Sequence, residues 1–145
     1  MNLELLKDAY AIIEGMPDER IDLDFWQDNK DVGKLMLRGA ISRAKQIDCG
    51  TIACAAGWLS LHPDMNARGL VSEFGVPEFR GDWQYEGLAK FFDISLTDAG
   101  NLFKSRSSFE KRYVVTKKMT DRQLWLWRVR RLIGIAITSE TEASA

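Results

Sequence analysis

Leu5, Leu6, Ala9, Tyr10, Ile12 and Ile13 recur at helical spacing and form one apolar stripe, which predicts a helix over Leu3 to Glu14. Gly15 and then Pro17 stop it, since glycine closes helices readily and proline cannot continue one. From Ile21 to Trp26 apolar and acidic residues alternate. That pattern fits a short strand, or a turn that delivers Phe25 and Trp26 to the core. After a polar loop at Asp28–Asp31, Val32 to Gln46 reads as helix, with Leu35, Ile41 and Ala44 inward and Lys34, Arg38, Arg43 and Lys45 outward.

The next stretch, Asp48-Cys49-Gly50-Thr51-Ile52-Ala53-Cys54-Ala55-Ala56-Gly57-Trp58, holds both cysteines and the densest run of small residues. Small side chains on a helix let a neighbouring backbone come close, so Cys49, Gly50, Thr51, Cys54, Gly57 and Trp58 read as a structural motif at the packing centre. Asp48 or Thr51 is suited to cap a helix that runs to about Leu61, and His62-Pro63-Asp64 ends it. Met65 to Gly81 contains Gly69, Gly75, Pro77 and Gly81 and reads as a long irregular connection, with room for short strands at Gly69–Phe74. Tyr85 to Phe92 and Leu96 to Phe103 are two further helices about an Asp93-Ile94-Ser95 turn, the second capped by Ser95 or Thr97. Lys104 to Lys118 is basic and less regular. Thr120-Asp121-Arg122-Gln123 is a capping box for a helix through Leu124 to about Ile137. The polar stretch 139–145 reads as a disordered tail. The expected fold is mainly α: a single-domain bundle of about five or six helices over residues 1–138, with at most a small strand pair.

A chain of 145 residues fits one domain. At that size about 70% of the unfolded surface is buried, so no disulfide staples are needed. Five tryptophans supply large apolar surface for a core or an interface. No apolar run is long enough to span a bilayer, and the first residues lack the basic and apolar regions of a signal peptide. The expected compartment is a bacterial cytoplasm, without a membrane partner. The net charge of −1 hides an asymmetry. Residues 1–100 carry ten Lys/Arg against seventeen Asp/Glu, a balance of −7. Residues 101–137 carry ten Lys/Arg against Glu110 and Asp121, a balance of +8. Such polarity suits an acidic partner, either protein or nucleic acid, or else the basic end sits against the chain's own acidic half or simply in water.

Few residues suggest chemistry. On one helix Cys49 and Cys54 would have Cα atoms roughly 8–9 Å apart, too far for a disulfide. A zinc site would need His62 and a carboxylate such as Asp64 beside both thiols, and two buried thiols acting as small apolar residues are the simpler reading. No metal or cofactor is expected. His62 could serve as a general base, or pair with Cys54 or Cys49, but it also falls where a histidine suits a helix C-terminus. No phosphate-cradling glycine pattern is present. Leu88 to Phe103 has the outline of a helix-turn-helix, with Ala89, Ile94 and Leu102 at its packing positions. Its second helix begins with Thr97, Asp98 and Asn101, and an acidic residue there suits a plain helical hairpin better than a DNA reader. The last helix interleaves Trp125 and Trp127 with Arg128, Arg130 and Arg131. Trp125, Val129, Leu132 and Ala136 share one face, with Ile133 beside it, and read as core. Trp127, Arg130, Arg131 and Gly134 share another, with Arg128 between. Tryptophan and arginine dominate binding hot spots and also stack on bases.

The pattern Cys49-Gly50-Thr51-x-x-Cys54-x-x-Gly57-Trp58, then His62-Pro63 and Arg68-Gly69-Leu70, resembles a family of small uncharacterised bacteriophage and prophage proteins. Ala89-x-x-Phe92-x-Ile94-Ser95 up to Leu102-Phe103 is similar to the same family, so the likeness covers about residues 49–103. It implies a viral origin and no catalytic residue. Small phage proteins of this sort act by binding a host machine, defence systems included. The expected function is non-catalytic modulation of a host or phage protein through Trp127, Arg128, Arg130, Arg131, Lys111 and Arg112. Alternatives are nucleic-acid binding through the same basic region, and an enzyme with Cys/His chemistry.

Overall fold

The computed structural model describes residues 1–23, 54–73, 75–106, 110 and 113–144, with side chains of the last helix described through Gly134. The expected Val32–Gln46 helix and motif residues Cys49, Gly50 and Thr51 lie outside the described residues, as do Lys111 and Arg112.

The fold is mainly α with a small antiparallel sheet. Helix α1 spans Leu3–Glu14, at both ends as its stripe predicts, and buries Leu5, Leu6, Ala9 and Ile13. The Asn2 side chain caps it by accepting from the Leu5 N–H at 3.1 Å. A short 3-10 turn, Asp18–Arg20, leads to buried Ile21 and Leu23. Helix α2, Ala55–Leu61, is buried along its whole length and packs against α1 and the first two strands. The small residues Ala55, Ala56 and Gly57 permit that position, as expected of a packing centre. Its cap, however, is Cys54, whose Sγ accepts the Gly57 N–H at 3.4 Å from an extended backbone. The helix therefore starts later than a cap at Asp48 or Thr51 implies. The Trp58 indole donates to the Arg20 carbonyl at 2.8 Å and ties α2 to the 3-10 turn.

The described residues between Met65 and Gly81 are mostly regular structure rather than an irregular connection, and a strand falls within Gly69–Phe74 as expected. Helix α3, Pro63–Ala67, follows α2 directly, and His62 caps it by accepting the Asp64 N–H at Nδ1 at 3.2 Å. Strands β1 (Leu70–Glu73), β2 (Val76–Phe79) and β3 (Asp82–Trp83) then form a meander in the order β1-β2-β3. Leu70 pairs with Phe79, and Phe79 with Asp82 on its other side. The Arg80-Gly81 turn has φ of 50° and 86°, the two left-handed residues that a tight hairpin needs.

Helices α4 (Gln84–Phe92) and α5 (Leu96–Phe103) make a helical hairpin about Asp93, which closes α4 at φ 53°. Helix α6 is one turn, Val114–Lys117, and α7 runs from Asp121 to Ser144. The capping box is formed: the Gln123 N–H donates to Thr120 Oγ1 at 3.2 Å, and the Thr120 N–H to Gln123 Oε1 at 3.1 Å. The helix continues past Ile137, its expected end, to Ser144. Phe79, Phe91, Phe92, Phe103 and Trp125 run ring to ring through the core with centroids 5.0–5.9 Å apart.

Candidate functional site

The interleaved face of α7 separates into an interior arginine and two outer ones. Arg128, expected on the partner surface, is buried. Its Nε and Nη2 grip the two carboxylate oxygens of Glu110, which is also buried. Nη1 donates to the carbonyls of Leu102 and Lys104, and Nη2 also to that of Ser105 at 3.0 Å. All five guanidinium N–H donors thus have acceptors. A buried guanidinium is tolerable only when paired and fully bonded, and here it also satisfies carbonyls at the end of α5. Arg128 therefore leaves the partner-binding set and becomes the bolt between α5 and α7.

Trp127 is half-buried beside the arginines, as its position predicts. The Arg131 guanidinium carbon lies 5.3 Å from the Trp127 ring centre and 5.0 Å from that of Tyr113. The two rings are 5.6 Å apart, so cation and aromatics form one cluster. Such contacts contribute about 0.5–1 kcal/mol each at exposed positions and hold the arginine in place. Arg130 is exposed and turns the other way, donating from Nη1 to the Tyr10 hydroxyl at 2.7 Å. Its guanidinium also lies 6.0 Å from the Tyr10 ring centre. Tyr10, on α1, and Tyr113 join this face. Neither was legible as part of this face, because contacts from other elements have no spacing signature along α7.

Much of the remaining basic charge is engaged inside the chain. Arg106 pairs with Asp121 at 2.9 Å, and Arg122 with Asp18 at 3.3 Å. Lys117 and Lys118 are exposed. The C-terminal segment therefore offers fewer outward cations than its sequence balance of +8 implies.

The candidate chemical residues hold structural posts. Cys54 is 1% exposed, and burial pushes its thiol up to about 12. A thiol so placed is a poor nucleophile at neutral pH. His62 uses Nδ1 as a cap acceptor. Among the described residues no group of three or more His, Cys, Asp or Glu is placed to hold a metal ion, and no helix is long and apolar enough to cross a membrane. In the hairpin, Ala89 and Leu102 are buried as its outline predicts, while α5 carries no basic residue to meet phosphate. An open depression of about 460 Å³ lies between α1 and β2, lined by Glu4, Leu5, Asp8, Arg68, Phe79 and Phe91 among others. Its one arginine is paired with Asp8 at 2.8 Å. Comparison with protein-family models, curated proteins and solved structures finds no match to this chain.

Proposed function

We propose that this protein is a stoichiometric binder that engages a macromolecular partner through Trp127, Arg130 and Arg131, with Tyr10 and Tyr113, and modulates it without catalysis. The observation that carries this reading is that neighbouring arginines of α7 each lie against aromatic rings, Arg131 on Trp127 and Tyr113 and Arg130 on Tyr10. Rigid aromatic and arginine side chains, already ordered before contact, lose little entropy on binding and are the usual anchors of interfaces. The sequence resemblance to phage proteins supplies the setting: the cytoplasm of a bacterial host, with a host or phage protein as target, a defence complex among the candidates.

Nucleic-acid binding by the same face is the second reading, favoured by guanidinium-aromatic stacking of the kind that holds unpaired bases. It demands affinity that falls steeply with salt. An enzyme built on Cys49, Cys54 or His62 is the third, and the burial of Cys54 weighs against chemistry at that thiol.

The test is affinity capture from bacterial lysate, with and without nuclease, using the wild-type chain and the double variant Arg130→Glu/Arg131→Glu. A nuclease-resistant protein captured in stoichiometric amount by the wild type, and lost by the folded double variant, is the expected result. Capture retained by the folded variant would overturn the assignment of this face.

A further inference from the structure

Strand pairing sorts the side chains of the meander onto two faces. Leu70 and Phe79 stand opposite each other and are buried, and Ser72 and Pro77 form the next buried row. On the other face, Val71, Glu78 and Trp83 form one row across all three strands. Val71 and Glu78 are half-buried, and Trp83 is 43% exposed, more than any other described tryptophan. Left-handed residues bracket this tryptophan, Arg80 at φ 50° and Gln84 at φ 55°, so the backbone fixes how it is presented.

Two carboxylates accompany Trp83. Glu78 stands directly opposite it, and Glu78 Oε1 accepts the Gly81 N–H at 3.1 Å, which fixes this carboxylate before any contact. Glu86, exposed, is the third residue of α4, whose N-cap is Trp83, a position from which a side chain reaches back toward the cap. Neither glutamate meets a cation among the described residues. The basic residues of this region belong to the opposite face: Lys90 is held by Asp82, which pairs with Phe79, and the Arg80 guanidinium carbon lies 4.9 Å from the Phe79 ring centre. Both carboxylates repel a phosphodiester or an anionic lipid surface. A purely apolar segment would bury the Glu78 carboxylate without a partner, which is costly. A basic side chain meets neither objection. Its stem lies on apolar surface while its charged head reaches the indole face and the carboxylates.

We propose that the outer row of the meander, Trp83 with Glu78 and Glu86, is a second docking face that takes a basic segment of a partner protein, one arginine or lysine of which stacks on Trp83. The acidic balance of residues 1–100 favours the approach of such a segment. The face is separate from that of α7: the strands pack on α2, α3 and α4, whereas α7 packs on α1 and α5. The inference therefore does not rest on the α7 assignment.

The test titrates the full chain, by anisotropy at low salt, with fluorescent oligoarginine and with a serine–leucine peptide of equal length. Oligoarginine should bind more tightly, and in proton–nitrogen NMR it should shift the Trp83 indole resonance and leave that of buried Trp125 in place. Trp83→Leu, which keeps apolar surface without the indole face, and Glu78→Gln, whose amide oxygen still accepts the Gly81 N–H, should each weaken oligoarginine about threefold. Glu19→Gln removes an exposed carboxylate on the 3-10 turn and should leave the affinity nearly unchanged. Circular dichroism checks folding, and Glu78→Gln with the indole shift decides the matter if Trp83→Leu does not fold. Equal losses in Glu78→Gln and Glu19→Gln with an unmoved Trp83 resonance would reduce the effect to net charge and overturn the face. Absence of oligoarginine binding overturns it as well. Tighter binding of the serine–leucine peptide overturns it in favour of an apolar partner. Self-association of the chain alone in sedimentation, abolished by Glu78→Gln, overturns it in favour of a second copy.

Discussion

Two side chains show how position along a helix underdetermines a residue's role. Arg128 falls between the apolar and polar faces of α7, and its spacing permits either an outward or an inward guanidinium. Its deciding partner, Glu110, is eighteen residues away and outside any helical register, so no periodic pattern connects them. Cys54 was more legible, because a thiol among alanines and glycine reads as a small apolar residue. The structure adds that its sulfur caps α2 and that its pKa rises to about 12 through burial. Two outcomes follow at this scale. In the native protein at about pH 8, iodoacetamide should leave Cys54 unmodified, as read by peptide mass spectrometry, whereas unfolding in urea should expose it. The folded state also holds the thiol proton above the pH at which the unfolded chain releases it. Stability present below about pH 9 should therefore decline as pH rises toward about 12. The Tyr85 phenol is raised too, chiefly by burial, and acts in the same direction. Cys54→Ala should flatten the decline in urea midpoints. Labelling of native Cys54 at the rate of a free thiol would refute the buried placement.

Elements were legible where one strong local signal set each end. Helix α1 carries an unbroken stripe between a cap and a glycine, α5 begins on the serine that caps it, and α7 opens on its capping box. Of the β meander only the first strand was legible, within the Gly69–Phe74 stretch; the other two were hidden because glycine and proline read as loop punctuation and the strands are only two to four residues long. Its second turn uses Arg80 at a left-handed φ in place of the asparagine or aspartate that would announce a hairpin. Gly87 also went unnoticed, since a helical glycine has no periodic meaning. A Cβ at that position would lie 2.3 Å from the Asp82 carbonyl oxygen, so the absence of a side chain is what lets α4 seat against the hairpin. Gly134, midway along α7, is the opposite case, because a Cβ there meets nothing within 4 Å. The same substitution should thus have opposite signs. Gly87→Ala should destabilise by about 1–3 kcal/mol through overpacking against backbone. Gly134→Ala should stabilise by about 0.5–1 kcal/mol through helix propensity alone. Urea denaturation of the two variants beside the wild type reads both, and a neutral Gly87→Ala would contradict the packing of α4 on β3.

For the whole molecule the sequence's charge asymmetry resolves into stitching as much as steering. Among the described residues between 101 and 137, Arg106, Arg122 and Arg128 are bound to carboxylates, and Asp18 and Asp121 make links that join distant parts of the chain. Asp121 accepts from Arg106 on one oxygen at 2.9 Å and from the Leu23 backbone N–H on the other at 3.0 Å. Beside it, Asp18 accepts from Thr120 at 2.9 Å and from Arg122 at 3.3 Å. The start of α7 therefore serves as a hub that fixes both the segment after the 3-10 turn and the basic connection before α6. Composition foretold that the halves were suited to each other but not which residues would meet, because such pairs are set by the finished fold. If the hub acts as described, Asp121→Ala should cost about 2 kcal/mol by orphaning two donors at once. Asp121→Asn should cost less, since its carbonyl oxygen still accepts one of them. Hydrogen exchange separates this from a general loss of stability: the Leu23 amide should exchange faster in Asp121→Ala than the amides of α2 do. Equal acceleration at Leu23 and throughout α2 would mean that Asp121 supports the whole core evenly. Slow exchange at Leu23 in the variant would show that some other acceptor holds the segment against α7.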